Sequence, residues 1–147
     1  MSTASRRAWL GRFMLIGGIS WIIFGLSHLL FPTLLAWDTV LSNLPPGSLL
    51  GLPLSNRGFI YLFNADLLLY DIFFGVLSLL LAPHARRGRR IAAQFGIGMG
   101  VYFVIRAGLQ LYYFGTSLMD IVQVLAALAY AAIYLFPLTG LWDFAEE

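Results

Sequence analysis

Four long apolar segments are the feature that most constrains this chain. They cover about residues 13–35, 58–82, 91–114 and 117–137. Each is close to the ~20 residues that cross a ~30 Å hydrocarbon layer as a helix. Charged residues make up 11% of the chain, against about 25% in an ordinary soluble domain. The sequence therefore predicts an all-α, polytopic membrane protein, in which residues 1–147 form one transmembrane domain with a four-helix bundle.

The arginines predict how the chain lies in the membrane. Three of them precede the first segment and four fill the connection 83–90, whereas the other two connections carry only Arg57. Basic residues collect in the cytoplasmic connections of membrane proteins. We therefore expect a multi-pass protein of the plasma (inner) membrane with both termini in the cytoplasm. The long connection 36–57 is then on the outer side, and its prolines and glycines argue against a regular helix there.

Several polar residues lie inside the predicted spans at similar depth. A charged side chain in hydrocarbon costs ~2.5–3.5 kcal/mol on insertion scales, so each one needs a partner or water. At ~1.5 Å per residue, four polar side chains lie about 9–12 Å below the outer ends of their predicted helices. They are His28, Asp66, Arg106 and Gln123. This common depth predicts a buried polar cluster in the outer leaflet.

Arg106 is the centre of that predicted cluster. It shares a helical stripe with Tyr102, Gln110 and Tyr113, at offsets of four and seven residues, and such a stripe is expected to face the other helices. We expect Asp66 to be the counter-charge of Arg106, with His28 and the glutamines completing the network. Two interpretations stay open: a clamp that serves only helix packing, or a site for a ligand or a proton.

Asp71 is predicted to be separate from this cluster. It lies deeper than Arg106 and shares a stripe with Asn64 and Ser78, not with Asp66. No arginine is well placed to neutralise it. It is interpreted either as a carboxyl group that is protonated at rest and exchanges a proton, or as a neutral acid bonded to Asn64, a tyrosine hydroxyl or a backbone carbonyl.

Several chemistries are excluded by composition and spacing. The chain has no cysteine, which removes disulfides, thiol nucleophiles and thiolate-bound metals. Its two histidines belong to opposite sides of the membrane, and no His, Asp or Glu cluster has metal-ligand spacing. Accordingly we predict no metal site. The glycines of FGIGMG (95–100) are typical of close helix packing. The basic connection lacks interleaved aromatic residues, so membrane lipid, not nucleic acid, is its expected partner.

Two stretches resemble a known family. GLSHLLFP (25–32), followed by NLPP (43–46), is similar to the first helix of DoxX-like small membrane proteins, with its G-x-x-H-x-x-x-P pattern. LYDIFFGVLSLLLAPHARRGRRIAA (69–93) is similar to the second helix and basic turn of that family. The resemblance implies a four-helix bundle, with some members similar to small subunits of quinone-linked oxidoreductases. It also raises His28 and Asp71 as residues to test.

Three functions remain open from the sequence. The first is a quinone- or lipid-binding module in a redox-linked membrane complex, in which His28 and Arg106 would hydrogen-bond the carbonyls of a quinone. The second is a small transporter or proton-pathway protein with Asp71 and Asp66 as carriers, which needs a homo-oligomer or other membrane subunits because four helices form a narrow pore. The third is a purely structural or assembly subunit. Whether the protein is an enzyme is left open.

Overall fold

The protein is a chain of long helices with one small hairpin. The computed structural model describes residues 2–42, 44–45, 47–49, 52–114 and 117–138. Its elements are α1 (Thr3–Ser27), α2 (Phe31–Leu34), α3 (Trp37–Val40), β1 (Gly47–Leu49), β2 (Leu52–Leu54), α4 (Asn56–Arg86), α5 (Arg90–Phe114) and α6 (Leu118–Leu135). Four of the helices, α1, α4, α5 and α6, are long and apolar enough to span a membrane. The predicted helical fold is confirmed, with four helices of membrane-spanning length. The packing of the four helices as one bundle and the side on which the termini lie stay predictions.

The first helix differs most from its predicted bounds of 13–35. It begins at Thr3 and ends at Ser27. Pro32 has no N–H to donate to the carbonyl of His28 four residues earlier, so the helical ladder cannot continue through this point. The chain turns at residues 28–30 and resumes as the short helix α2, with a proline in its first turn.

The connection 36–57 contains regular structure that the sequence analysis did not predict. Its first proline comes only at residue 45, so the helical turn α3 can form before it. The strands β1 and β2 then pair antiparallel, with Gly47 opposite Leu54. The half-buried Trp37 ring meets Tyr61 edge-on at 5.4 Å between centroids, and Arg57 forms an ion pair with Asp38. These contacts fasten the connection to the start of α4.

The chain divides into two compact units. One consists of residues 18–77, and the other of residues 1–17 and 78–147. In the 18–77 unit, α1 and α4 approach closely at two glycines. A Cβ atom on Gly75 would lie 2.8 Å from the carbonyl oxygen of Gly18, and one on Gly25 would lie 3.0 Å from Cβ of Asp71. This close approach brings the end of α1 against the middle of α4.

The second unit packs around a buried tyrosine. Tyr134 of α6 is fully buried, and its hydroxyl group lies 2.9 Å from the Ser78 hydroxyl of α4. Gly17 leaves room for that ring, since a Cβ there would lie 2.5 Å from the tyrosine oxygen. Phe103 of α5 stacks on Tyr130 with centroids 5.0 Å apart. Aromatic contacts and one hydroxyl pair therefore hold the core of this unit.

Candidate functional site

A buried amide holds His28 just beyond the end of α1. Because Pro32 lacks an N–H, the His28 carbonyl has no helical donor, and Asn64 Nδ2 donates to it at 2.9 Å. The same amide group meets the imidazole, with Asn64 Oδ1 2.7 Å from His28 Nδ1. Both residues are buried. Asn64 therefore replaces the bond that the proline removes and fixes the ring at the same time.

The two bonds of Asn64 decide which ring nitrogen of His28 carries hydrogen. A carbonyl oxygen can only accept, so the atom that faces the His28 carbonyl is the amide nitrogen, and the atom that faces the ring is the amide oxygen. Nδ1 must then be the donor in the second bond. The other ring nitrogen, Nε2, is left to interact with Asp71.

His28 and Asp71 form a buried pair. Nε2 of His28 lies 3.4 Å from Oδ2 of Asp71, and each residue is only 4% exposed. With hydrogen fixed on Nδ1, a single further proton completes the pair: either a neutral Asp71 donates to Nε2, or a protonated His28 donates to the carboxylate. Both forms have zero net charge. Without that proton, a lone pair would face a carboxylate in a buried site, which is unfavourable.

The surroundings of the pair are apolar and deep in the span. The Phe31 and Phe24 rings lie 4.5 Å and 5.3 Å from the imidazole, between centroids. Asp71 is the central residue of the 31-residue helix α4, about 22 Å from either helix end. The Asp71 carboxyl group therefore lies halfway along a helix that is long and apolar enough to span a membrane, where a net charge would be costly. The contact is longer than the ~2.7–3.2 Å of an N–H···O bond, so a small side-chain movement closes it.

Asp71 thus has a partner that the sequence analysis did not assign to it. The prediction that separated Asp71 from His28 is wrong, because α1 ends at Ser27 and the depth of His28 was counted from residue 35. The signal in the sequence was the spacing of four residues between His28 and Pro32, which frees a carbonyl at the helix end. The three residues of the stripe that contains Asp71, namely Asn64, Asp71 and Ser78, are all buried.

Arg106 has a local partner. Its Nη1 donates to Gln110 Oε1 at 2.8 Å, one helical turn along α5. Gln110 is 3% exposed, and its Nε2 donates to Asp120 Oδ1 at 3.2 Å. Asp120 in turn accepts from the backbone and side chain of Ser117 in a capping box at the start of α6. This chain of bonds joins α5 to α6 and leads from Arg106 to a carboxylate through a neutral amide.

The remaining predicted residues do not face the core. Asp66, Gln123 and Arg106 are exposed, and Tyr102 and Tyr113 are 39% and 71% exposed. None of these five side chains therefore packs into the interior of the unit that contains it. For Asp66 the reason is helical geometry, because it lies about 200° around α4 from the buried Asn64.

The structure thus brings the seven candidate residues together only in part. His28 and Asp71 meet in the 18–77 unit, and Arg106 and Gln110 meet in the other unit. The expected Arg106–Asp66 pair would join the two units and stays a prediction. Within the described ranges, no group of three or more His, Asp or Glu side chains is arranged to hold a metal ion.

Comparison with known proteins gave no match. No family model and no curated protein matches the sequence, and no solved structure matches the fold. The resemblance to DoxX-like proteins therefore rests on the residues quoted above. The strongest indication of function in this chain is therefore the His28–Asn64–Asp71 site.

Proposed function

We propose that this protein is a small proton-coupled membrane protein in which the His28–Asp71 pair holds and exchanges one proton. The observation that carries the proposal is the pair of hydrogen bonds between Asn64 and His28, which presents Nε2 of His28 to the Asp71 carboxyl group. A buried carboxyl group near the middle of a span is by default a functional residue in membrane proteins. Fixing the tautomer of its partner is what a site for one proton requires.

The chemistry of the exchange follows from charge balance. The resting pair shares one proton and is neutral. Adding a proton gives a protonated His28 beside a neutral Asp71, with a net charge of +1, and removing the shared proton gives −1. Each charged form is disfavoured by the apolar surroundings, so uptake on one side is expected to be coupled to release on the other. Asp71 is then the carrier, and His28 is the group that accepts the proton in transit.

The first test measures proton movement. Purified protein in liposomes with a pH-sensitive dye inside is expected to dissipate an imposed proton gradient, and Asp71→Asn is expected to abolish this activity. Asp38→Asn is the control, because it also neutralises a carboxylate but Asp38 is exposed and lies outside α4. Wild-type protein without flux, or an Asp71→Asn variant with full flux, would refute the proposal.

The second test observes the proton-holding ring directly. The chain has two histidines, so ¹⁵N spectra contain one pair of ring-nitrogen signals from His28 and one pair from the reference His84. His28 is expected to keep hydrogen on Nδ1, and its Nε2 resonance is expected to shift in Asp71→Asn while the His84 signals stay unchanged. A His28 ring with hydrogen on Nε2 alone would contradict the assigned tautomer.

A second candidate function is a quinone- or lipid-binding module of a DoxX-like subunit in a redox-linked membrane complex. It is favoured by Phe24, which is half exposed and packs edge-on against the His28 ring. Reduction of a quinone to a quinol consumes two electrons and two protons; here a redox partner subunit would supply the electrons and the His28–Asp71 pair would deliver protons. Quinone that copurifies with the wild type and is lost in Phe24→Ala would support this function; quinone retention in that variant would count against it.

The proposal includes an orientation. We place the protein in the plasma (inner) membrane with both termini in the cytoplasm, because seven of its nine basic residues lie in the N-terminal segment and the 83–90 connection. The absence of cysteine makes this easy to test. A cysteine placed at Ser2 is expected to resist a membrane-impermeant thiol reagent in intact cells, whereas one placed at Ser42 is expected to react. Reaction at position 2 without reaction at position 42 would show that the orientation is the opposite of the one proposed.

A further inference from the structure

One face of α4 is aromatic, exposed and interrupted by a single carboxylate. We name it the Asp66 face; its members recur every three or four residues and all are exposed. They are Phe59, Phe63, Asp66, Tyr70 and Phe73. A depression of about 350 Å³ lies at its centre, lined by Asp66, Leu69, Tyr70 and Phe73. In the apolar part of α4, 22% of the residues are buried, whereas 39% are buried in the apolar part of α1 and also in that of α5.

The Asp66 carboxylate is inside the span. It lies ten residues after the start of α4 at Asn56, or about 15 Å along the helix. Among the residues that the structure describes, none donates a hydrogen bond to it. An acidic side chain facing lipid at this depth costs ~2–3 kcal/mol or more. A cationic partner that covers the face would remove this cost.

Arg106 provides the complementary charge on α5. It is exposed together with its neighbours Tyr102, Leu109 and Tyr113, and we name these four residues the Arg106 face. Gln110 is neutral, so its bond to Arg106 leaves the positive charge in place. Arg106 lies eight residues before the end of α5 at Phe114, or about 12 Å along the helix.

The two charges match in depth. Two spans joined by a short turn cross a membrane in opposite directions, so the start of α4 and the end of α5 lie on the same side. The depths of Asp66 and Arg106 therefore agree within about 3 Å, or two residues. An acid and a base at equal depth, each on an exposed aromatic and apolar face, are complementary for contact in the plane of the membrane.

We propose that the Asp66 face of one copy docks on the Arg106 face of a second copy, with an ion pair between Asp66 and Arg106 across each contact. Each copy carries both faces, so the contact is head-to-tail and closes into a ring of copies if the rotation between neighbours allows it. The pairing removes two charges from lipid at once. This inference goes beyond the proposed function and does not depend on it.

Charge-reversal variants of Asp66 and Arg106 test the proposed contact between copies. Asp66→Arg alone and Arg106→Asp alone are each expected to be monomeric in native mass spectrometry, because like charges would then meet at every contact. Mixing the two single variants is expected to restore association, since each chain brings the charge that the other lacks. A pair formed within one chain cannot be restored by mixing. Monomeric wild-type protein, or single variants that stay apart when mixed, would overturn the inference.

Cysteine cross-linking tests the geometry while both charges stay in place. Leu62→Cys and Leu109→Cys flank the two charges, about 9 Å and 8 Å from the ends of their helices, and the background has no cysteine. Chains carrying one substitution each, with different tags, are expected to form a mixed disulfide dimer in oxidised membranes. Phe73→Cys with Leu109→Cys is the control, because its positions differ in depth by roughly 18 Å. A disulfide that forms only within a doubly substituted chain would place the contact inside one copy.

Discussion

Asn64 binds His28 twice, donating to its carbonyl oxygen and accepting from Nδ1 of its ring. The first bond exists because Pro32 leaves that carbonyl without a helical donor, and the second fixes the tautomer that faces Asp71. The same Asn64 side chain therefore bonds the carbonyl left free by the helix break and fixes which ring nitrogen of His28 faces Asp71. The amide side chain links a backbone defect at the end of α1 to the buried His28–Asp71 pair near the middle of α4.

This linkage predicts an interaction between Asn64 and Pro32. Asn64→Ala removes both bonds and is expected to destabilise the protein by about 1–2 kcal/mol. In Asn64→Ala with Pro32→Ala, residue 32 regains an N–H that can donate to the His28 carbonyl, so the double variant is expected to lose less stability than the sum of the two single variants. Thermal unfolding in detergent gives the values. Additive losses would show that the two residues do not share the His28 carbonyl.

The His28–Asp71 pair predicts a second pattern of stability. Replacing one member by leucine removes the partner of the other in a buried site, which costs about 3–5 kcal/mol for a buried pair. Replacing both by leucine removes the polar groups together, so the double variant is expected to be more stable than either single variant. The same double variant is expected to lack proton flux.

Measuring both the stability and the activity of the double-leucine variant distinguishes a purely structural pair from a proton-holding one. A purely structural pair would allow the stable double-leucine variant to keep its cellular function. If the pair holds a proton, the double-leucine variant would be folded but would have no activity. A double variant less stable than His28→Leu alone would contradict the pairing.

The sequence predicted the helices better than the site, and the reason is physical. Apolar length alone identifies a membrane span, so α4, α5 and α6 lie close to their predicted bounds. The orientation of a side chain depends on which face of each helix packs, and small errors in a helix end change it. For His28, an error of eight residues at the end of α1 hid the contact with Asp71. Gln110, whose stripe was predicted to face inward, is buried as expected.

Gly75 is predicted to control how closely α1 approaches α4. In Gly75→Ala the new Cβ would lie 2.7 Å from Ile22 Cγ1 and 2.8 Å from the Gly18 carbonyl oxygen, so the helices must separate. We expect a loss of about 1–3 kcal/mol in stability, together with weaker proton flux, because the His28–Asp71 contact lies one turn away. Gly108→Ala is the matched control, since its Cβ would meet nothing within 4 Å. An equal effect of the two substitutions would show that helix contact at Gly75 is not the cause.

Tyr134→Phe tests the core of the second unit without affecting the proton site. The substitution keeps the aromatic ring but removes the hydroxyl that bonds to Ser78, and it leaves the Ser78 hydroxyl buried with one partner fewer. Bonds of this kind between membrane helices average about 0.6 kcal/mol and reach ~1.7 kcal/mol, so a loss within that range is expected. Tyr112→Phe is the control, because Tyr112 is 79% exposed. Proton flux is expected to stay at the wild-type level in both variants, since neither tyrosine belongs to the 18–77 unit that contains His28 and Asp71. Flux lost in Tyr134→Phe at unchanged stability would mean that the proton path extends to the Ser78 hydroxyl.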